Sequence, residues 1–150
     1  MLSSVLRLPR SEDVAVARGN IRGFAVRTPL LAESEAAQPA AAPLKNGRPA
    51  RVPHMQSFVD GMGSTTVLDE MWPLVREMVD QAACASFAQI AEAIRLLAGR
   101  HHVIAEAAGA ASVAVAMAGQ AGRGNIVYIV SGGIIDGPKL GAILNGQRPF

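Results

Sequence analysis

The stretch VIAEAAGAASVAVAMAG at residues 103–119, which has almost no large side chain, restricts the fold more than any other part of the sequence. Half of the 150 residues are hydrophobic and 17% are charged, a balance typical of a globular protein. A helix of alanine and glycine contributes to a core only when its backbone lies close to a neighbouring element. We therefore expect this helix to pack very closely against a sheet.

The segments around this helix predict strands and a further helix. Ser86 and Gln89 have the spacing of a capping box ahead of an apolar helical stripe, and Gly99 is a natural end for that helix. The run NIVYIV (125–130) predicts a buried strand, and QAACAS (81–86) predicts a short one. Strand, helix, helix, strand and helix in succession predict an α/β fold with a parallel sheet covered by helices.

Two more helices are predicted nearer the start of the chain. Ser11 can cap a helix that reaches Ile21, and VRTPLL (26–31) follows as a short extended piece. Asp69 can cap a second helix in which Pro73 lies in the first turn, where no amide donor is needed. The stripe of this second helix consists of Leu68, Trp72, Val75 and Val79.

Composition divides the chain into three segments. Residues 1–34 and 54–150 carry the patterns of folded elements. Residues 35–53 are rich in alanine and proline and show no clear period. This middle composition predicts a linker or a surface loop.

Charge and cysteine content restrict the class of protein. The formal net charge is +2 and no stretch combines dense Lys/Arg with aromatics, so nucleic-acid binding has little support. The most apolar window, 103–118, contains Glu106 and is shorter than the ~20 residues of a membrane helix. Cys84 is the only cysteine, most simply a buried small side chain, and cannot form an internal disulfide. Because MLSSVLRLPR also lacks the features of a targeting signal, we expect a cytoplasmic protein that does not bind a membrane.

Ser131, Gly132 and Gly133 lie between a predicted strand and a predicted helix. Ligands bind at the carboxyl ends of strands in open parallel sheets, and a helix amino terminus attracts anions. Glycines there allow a flat ring or a phosphate to approach the backbone. The commoner alternative is that the glycines merely permit a tight turn.

Other candidate residues have two interpretations each. Glu106 is an acid among apolar neighbours, which indicates either a functional group with a shifted pKa or a solvent-facing acid at a helix start. Asp60-Gly61 is ordinarily a turn. His101 and His102 are adjacent, so their side chains point in different directions and we expect no metal site there.

Several stretches, in this order, resemble the carboxyl-terminal part of threonine dehydratase and serine racemase, which are enzymes of the tryptophan-synthase-β-like pyridoxal phosphate superfamily. They are FVDGMGSTTVLDEMWPLVREMVD, ASFAQIAEAIRLLA, VIAEAAGAASVAVAMAG and NIVYIVSGGIID. DVAVARGNIRGFAVRTPLLAES resembles the start of the same enzymes. The resemblance implies part of that fold, pyridoxal phosphate as cofactor and an amino-acid substrate. The implied parent reaction converts L-threonine or L-serine to a 2-oxo acid and ammonia.

The resemblance also implies roles for the candidate residues. The Ser131 hydroxyl corresponds to the group that hydrogen-bonds the pyridine nitrogen, with Gly132 and Gly133 beside it. Gly61 and Glu106 match positions that line the same pocket. Because a hydroxyl is a neutral partner for the pyridine nitrogen, it leaves the pyridine ring of the cofactor a moderate electron sink, which suits β-elimination.

The chain departs from the family at four points outside these candidate pocket residues. Ile134 replaces an asparagine, and Ala107 replaces a glycine or proline. Gln38 stands near the place of an acidic metal ligand, so no metal ligand is assigned. The chain's only lysines, Lys45 and Lys139, do not match the family lysine that binds the cofactor, and no catalytic residue is assigned.

The family's glycine-rich phosphate loop and Asn-bearing loop are also missing from this sequence. An internal deletion after Ser34 explains residues 35–53. The sequence therefore predicts a truncated relative that is inactive alone, and whether it is an enzyme at all stays open. Three alternatives are an interaction module that pairs through an exposed sheet edge with a full-length relative or another copy, a poorly folding deletion product, and a residual enzyme that uses Lys139.

Overall fold

The computed structural model describes residues 10–20, 31–34, 47–53, 56–62, 64–79, 82–147 and 149. The helices are α1 (Ser11–Asn20), α2 (Trp72–Met78), α3 (Phe87–His101), α4 (Ala107–Met117) and α5 (Gly137–Leu144), and the strands are β1 (Leu31–Ser34) and β2 (Ala82–Ala85). A 3-10 turn spans Asp60–Met62. Ile21, Gln38, Lys45, residues 26–30 and most of the predicted linker lie outside the described residues.

The two strands pair in parallel, with Leu31 opposite Ala82 and Ser34 opposite Ala85. This pairing confirms the predicted parallel sheet and the predicted strand in QAACAS, and it joins the amino-terminal segment to the carboxyl-terminal half. Helix α4 packs against both strands and against α3. The close packing that its small residues predict is therefore present.

The core lies between α3 and α4. Ile90 and Ile94 of α3 are 0% and 1% exposed, and they are buried with the alanine-rich face of α4. Phe58 and Phe87 add a tilted aromatic pair whose ring centroids are 5.8 Å apart. Large side chains on one helix thus compensate for the small ones on the other, as close packing requires.

Helix α3 begins as the sequence predicts, whereas α1 does not. The Ser86 hydroxyl accepts the Gln89 amide at 3.2 Å, and the Gln89 side chain accepts the Ser86 amide at 2.8 Å, so the capping box is confirmed. The prediction that Ser11 caps α1 is wrong, because Ser11 is already helical. The Asp13 carboxylate accepts the Arg10 amide at 2.8 Å, which places the cap one residue earlier.

The prediction that Asp69 caps α2 is also wrong. Met71 occupies the cap position without a side-chain hydrogen bond. The amides of Met71 and Trp72 already donate to the Leu68 carbonyl at 3.0 Å, so the turn before the helix satisfies them. Pro73 lies in the first turn as predicted and Trp72 is buried, but Leu68 is exposed and does not share the apolar stripe.

Helix α3 continues through Gly99, where the sequence predicts its end, and finishes at His101. His102 then adopts a left-handed conformation with φ 55°. The amides of His102 and Val103 both donate to the Leu97 carbonyl. These backbone bonds close the helix without the glycine that usually stands at such an end.

The predicted strand at residues 125–130 is wrong as a paired strand: within the described ranges the sheet consists of β1 and β2. Its side chains nevertheless alternate, since Val127 and Ile129 are 52% and 68% exposed whereas Ile126, Tyr128 and Val130 are half-buried. Alternation is typical of extended chain, but a ladder needs a neighbouring strand. No helix in the described part of the chain is long and apolar enough to cross a membrane.

The extension of α3 past Gly99 can be tested by a Gly99→Ala variant. No described atom lies within 4 Å of the position of an added Cβ, and alanine is favoured in a helix interior. We expect the free energy of unfolding to rise by about 0.5–1 kcal/mol in urea denaturation. Gly119→Ala, at a residue with φ +70°, is the control and should destabilise. Destabilisation by Gly99→Ala would mean that α3 ends where the sequence predicts.

Candidate functional site

The 3-10 turn, the start of α4 and the Ser-Gly-Gly turn meet at Glu106. Glu106 is the cap residue of α4, and its amide donates to the Gly132 carbonyl at 3.1 Å. Its Oε1 atom lies 3.3 Å from the place of a Cβ on Gly61, and its Cδ atom lies 2.5 Å from the place of a Cβ on Gly132. The structure therefore brings three of the predicted site residues into one group.

Glycine is favoured at the two positions that flank the Glu106 carboxylate. Gly132 has φ +76°, and a side chain there would overlap the carboxylate. A Cβ on Gly61 would come within 2.9 Å of the Ala108 methyl group. The other glycine of the turn, Gly133, faces the Ile104 carbonyl, which lies 3.0 Å from the place of its Cβ.

Ser131 lies next to this group and is exposed. Within the described residues, neither its hydroxyl nor the Glu106 carboxylate has a hydrogen-bond or ion-pair partner. Both groups are therefore available to a ligand. A hydroxyl and a carboxylate beside bare glycine backbone can accept a flat polar ring, and their role in cofactor binding stays a prediction.

Gly109 is a packing position beside the candidate site that sequence reasoning missed. It is buried in α4, and a Cβ there would fall on the Ser131 carbonyl oxygen. The Ser131 carbonyl carbon and the Gly132 oxygen would lie 2.8 and 3.1 Å from the same Cβ. A glycine inside a run of alanines costs helix stability, and this cost was the available signal of a close backbone approach.

An ion pair joins the 3-10 turn to the start of α5. Lys139 Nζ lies 2.8 Å from Asp60 Oδ2 and 3.5 Å from Asp136 Oδ2. The hydrogen bond from Lys139 lowers the pKa of Asp60 below its ordinary value of 3.8, and the same bond raises the pKa of Lys139 above 10.5. The amine is therefore a charged ammonium at neutral pH, whereas an amine that attacks a carbonyl must be neutral.

Neither His101 nor His102 belongs to a metal-binding cluster within the described residues. His101 and His102 are both exposed at the end of α3. In the ranges that the structure describes, no three His, Cys, Asp or Glu side chains lie close enough to hold a metal ion. Cys84 is half-buried in β2, where its carbonyl accepts the Gln120 side-chain amide at 3.4 Å.

Comparison with known proteins identifies the family. Residues 14–132 match the family model described as pyridoxal-phosphate dependent enzyme. The L-threonine ammonia-lyase of Thermotoga maritima is 32% identical over 105 residues, which is 69% of this chain and 26% of that enzyme. The chain thus spans about a quarter of the length of this curated relative.

Solved structures agree with this assignment. The threonine deaminase of T.th. superposes with a TM-score of 0.70 and 25% identity, over 84% of this chain and 42% of that one. Maize serine racemase superposes with a TM-score of 0.69 and 22% identity, over 91% of this chain and 44% of that one. The chain therefore has part of the tryptophan-synthase-β-like fold of these enzymes.

The contact between Gly109 and Ser131 can be tested by a Gly109→Ala variant. The added methyl group must push the Ser131 turn away from α4, and overpacking of this kind costs about 1–3 kcal/mol in the free energy of unfolding. Gly141→Ala in α5, where no described atom lies within 4 Å, is the matched control and should not destabilise. Urea denaturation measures the free energy of unfolding of both variants. Equal stability of Gly109→Ala and the wild type would show that α4 does not touch this turn.

Proposed function

Because the chain belongs to the family of pyridoxal-phosphate-dependent enzymes, we propose that it carries the ring-facing wall of a threonine dehydratase or serine racemase site. We propose further that it lacks the means to attach the cofactor covalently. The observation that carries this proposal is the meeting of Gly61, Glu106 and Gly132 next to Ser131. These residues are far apart in the sequence, and the family resemblance assigns all of them to one pocket.

The residues of this wall fit a pyridine ring. Gly132 and Gly133 are both exposed, so a flat ring can approach their backbone. The Ser131 hydroxyl has no partner within the described residues and can hydrogen-bond a ring nitrogen. Pyridoxal phosphate, when bound, supplies an electron sink for breaking bonds at an amino-acid α-carbon. The role of Ser131 is to orient the ring, and that of Glu106 is to line its edge.

The groups that would hold the rest of the cofactor do not fit. The amine of Lys139 is charged and engaged with two carboxylates, which is the opposite of the lowered pKa that activates a lysine. Lys45 is the only other lysine, and it does not match the family position. The sequence also has no glycine-rich phosphate loop between its two family segments. We therefore propose that the chain alone does not convert L-threonine or L-serine to a 2-oxo acid.

Cofactor titration tests this proposal. We expect pyridoxal phosphate to quench the fluorescence of Trp72 reversibly, with no adduct after borohydride reduction and no 2-oxo acid from threonine or serine. Ser131→Ala should weaken binding about 2–10-fold, which corresponds to one hydrogen bond. Ser64→Ala, at an exposed serine that bonds the Thr66 carbonyl, is the control. Steady 2-oxobutanoate production, even in Lys139→Ala and Lys45→Ala variants, would contradict the proposal.

A second candidate function is association with another copy of this chain. Val127, Ile129 and Ile134 are 52%, 68% and 93% exposed, and residues 125–135 contain no charged side chain. Two copies can therefore bring these segments together without charge repulsion. The backbone of residues 126–130 forms no ladder within the described residues, and pairing between copies would supply one.

Sedimentation velocity tests this association. We expect the wild type to form dimers at micromolar concentrations and Ile129→Glu to shift the equilibrium to monomer at least tenfold. Leu68→Glu changes a similarly exposed residue outside the segment and should leave the dimer intact. A wild-type monomer that unfolds cooperatively would exclude this candidate. A broad, non-cooperative thermal transition would instead favour the poorly folding deletion product.

A further inference from the structure

Lys139 connects two parts of the candidate site that lie far apart in the sequence. Its ammonium contacts Asp60 at the start of the 3-10 turn, and also Asp136, the cap residue of α5. We call these two contacts the clasp. The clasp bridges the turn that carries Gly61 and the segment that follows Gly133.

The clasp acts at the exposed start of the turn, because the core already holds the flanks: Met62, at the other end, is partly buried against the core. Phe58 and Val59, just before the turn, are 3% and 2% exposed. Asp60 itself has 72% of its side chain exposed, so packing does not fix it. The Lys139 side chain is more enclosed, at 27% exposed, and it is therefore the better ordered partner.

A shift of the turn would change the candidate site directly. Gly61 lies against both Ala108 and the Glu106 carboxylate. If the turn moved outward, Glu106 would lose one of the two glycines that fix the place of its carboxylate. Gly132 would then be the remaining glycine beside the carboxylate.

We propose that Lys139 is a positioning residue of the candidate cofactor site, whose ammonium holds the Asp60–Met62 turn against α4 and so keeps the Glu106 carboxylate between Gly61 and Gly132. The effect on ligand binding rests on the proposed function, whereas the effect on the turn does not. In this role Lys139 forms no covalent bond with the cofactor. Its charge and its reach are what the site uses.

Two substitutions separate the positioning role from a covalent one. Lys139→Arg keeps the positive charge and can bond a carboxylate through two N–H groups, but it cannot form an imine. Lys139→Met keeps the length of the side chain and removes the charge. Asp60→Asn removes the charge of the partner, and the Asp60→Asn/Lys139→Met double variant reports whether the two residues act together.

Amide hydrogen exchange in the absence of ligand tests the effect on the turn. We expect the peptide of residues 58–62 to exchange about two- to fivefold faster in Lys139→Met and in Asp60→Asn, and the double variant to exchange no faster than either single variant. Lys139→Arg should exchange like the wild type, and the α3 peptide of residues 87–101 should not change. Unchanged exchange of residues 58–62 in Lys139→Met, or additive effects in the double variant, would overturn the proposal.

Titration with pyridoxal phosphate on the same variants tests the effect on the site. Lys139→Met should weaken binding about two- to fivefold, and Lys139→Arg should bind like the wild type. A borohydride-stable adduct mapped to Lys139, absent from Lys139→Arg, would overturn the positioning role. If the wild type binds no pyridoxal phosphate, the proposed function fails, and the exchange measurement still decides whether Lys139 holds the turn.

Discussion

The close contact between the backbone of α4 and the Ser131 turn is the constraint on which the candidate site depends. Gly109 permits this contact because it has no side chain to meet the Ser131 carbonyl. The same helix holds the segment of residues 129–132 at two further points. The Glu106 amide donates to the Gly132 carbonyl, and the Ser112 hydroxyl donates to the Ile129 carbonyl at 2.9 Å. These bonds from one helix position the segment even though it has no ladder partner within the described residues.

This chain has part of the family fold, whereas its described lysine does not fit the chemistry of covalent cofactor attachment. Packing of α3, α4 and the parallel strands follows the family, and the residues that would face a pyridine ring are grouped. Covalent attachment needs a neutral amine, however, and Lys139, the lysine within the described residues, is held as a charged ammonium by two carboxylates. Under the proposed function, the chain keeps the shape of one wall of a site without a reactive amine, because the wall depends on packing and the reaction depends on one side chain.

The sequence predicts some local features of the fold and misses others, and it carries no signal for at least one long-range contact. The capping box of Ser86 and Gln89 was predictable because both partners lie within one helical turn. The end of α3 was not, since His102 accepts a left-handed conformation that a propensity argument assigns to Gly99. The ion pair of Asp60 and Lys139 has no local signal at all, because it forms only when the fold brings the two residues together. Gly61, Glu106 and Gly132 were grouped by family resemblance and not by spacing.

The parallel register of β1 and β2 has a consequence for the order of folding. Leu31 pairs with Ala82, so the contact closes a long stretch of chain, whereas α3 and α4 are consecutive and separated by a short connection. Closing a long loop costs more entropy than joining neighbouring helices, and parallel pairing of distant strands is slow. We therefore expect α3 and α4 to pack together first during folding, and the amino-terminal strand to pair with β2 afterwards.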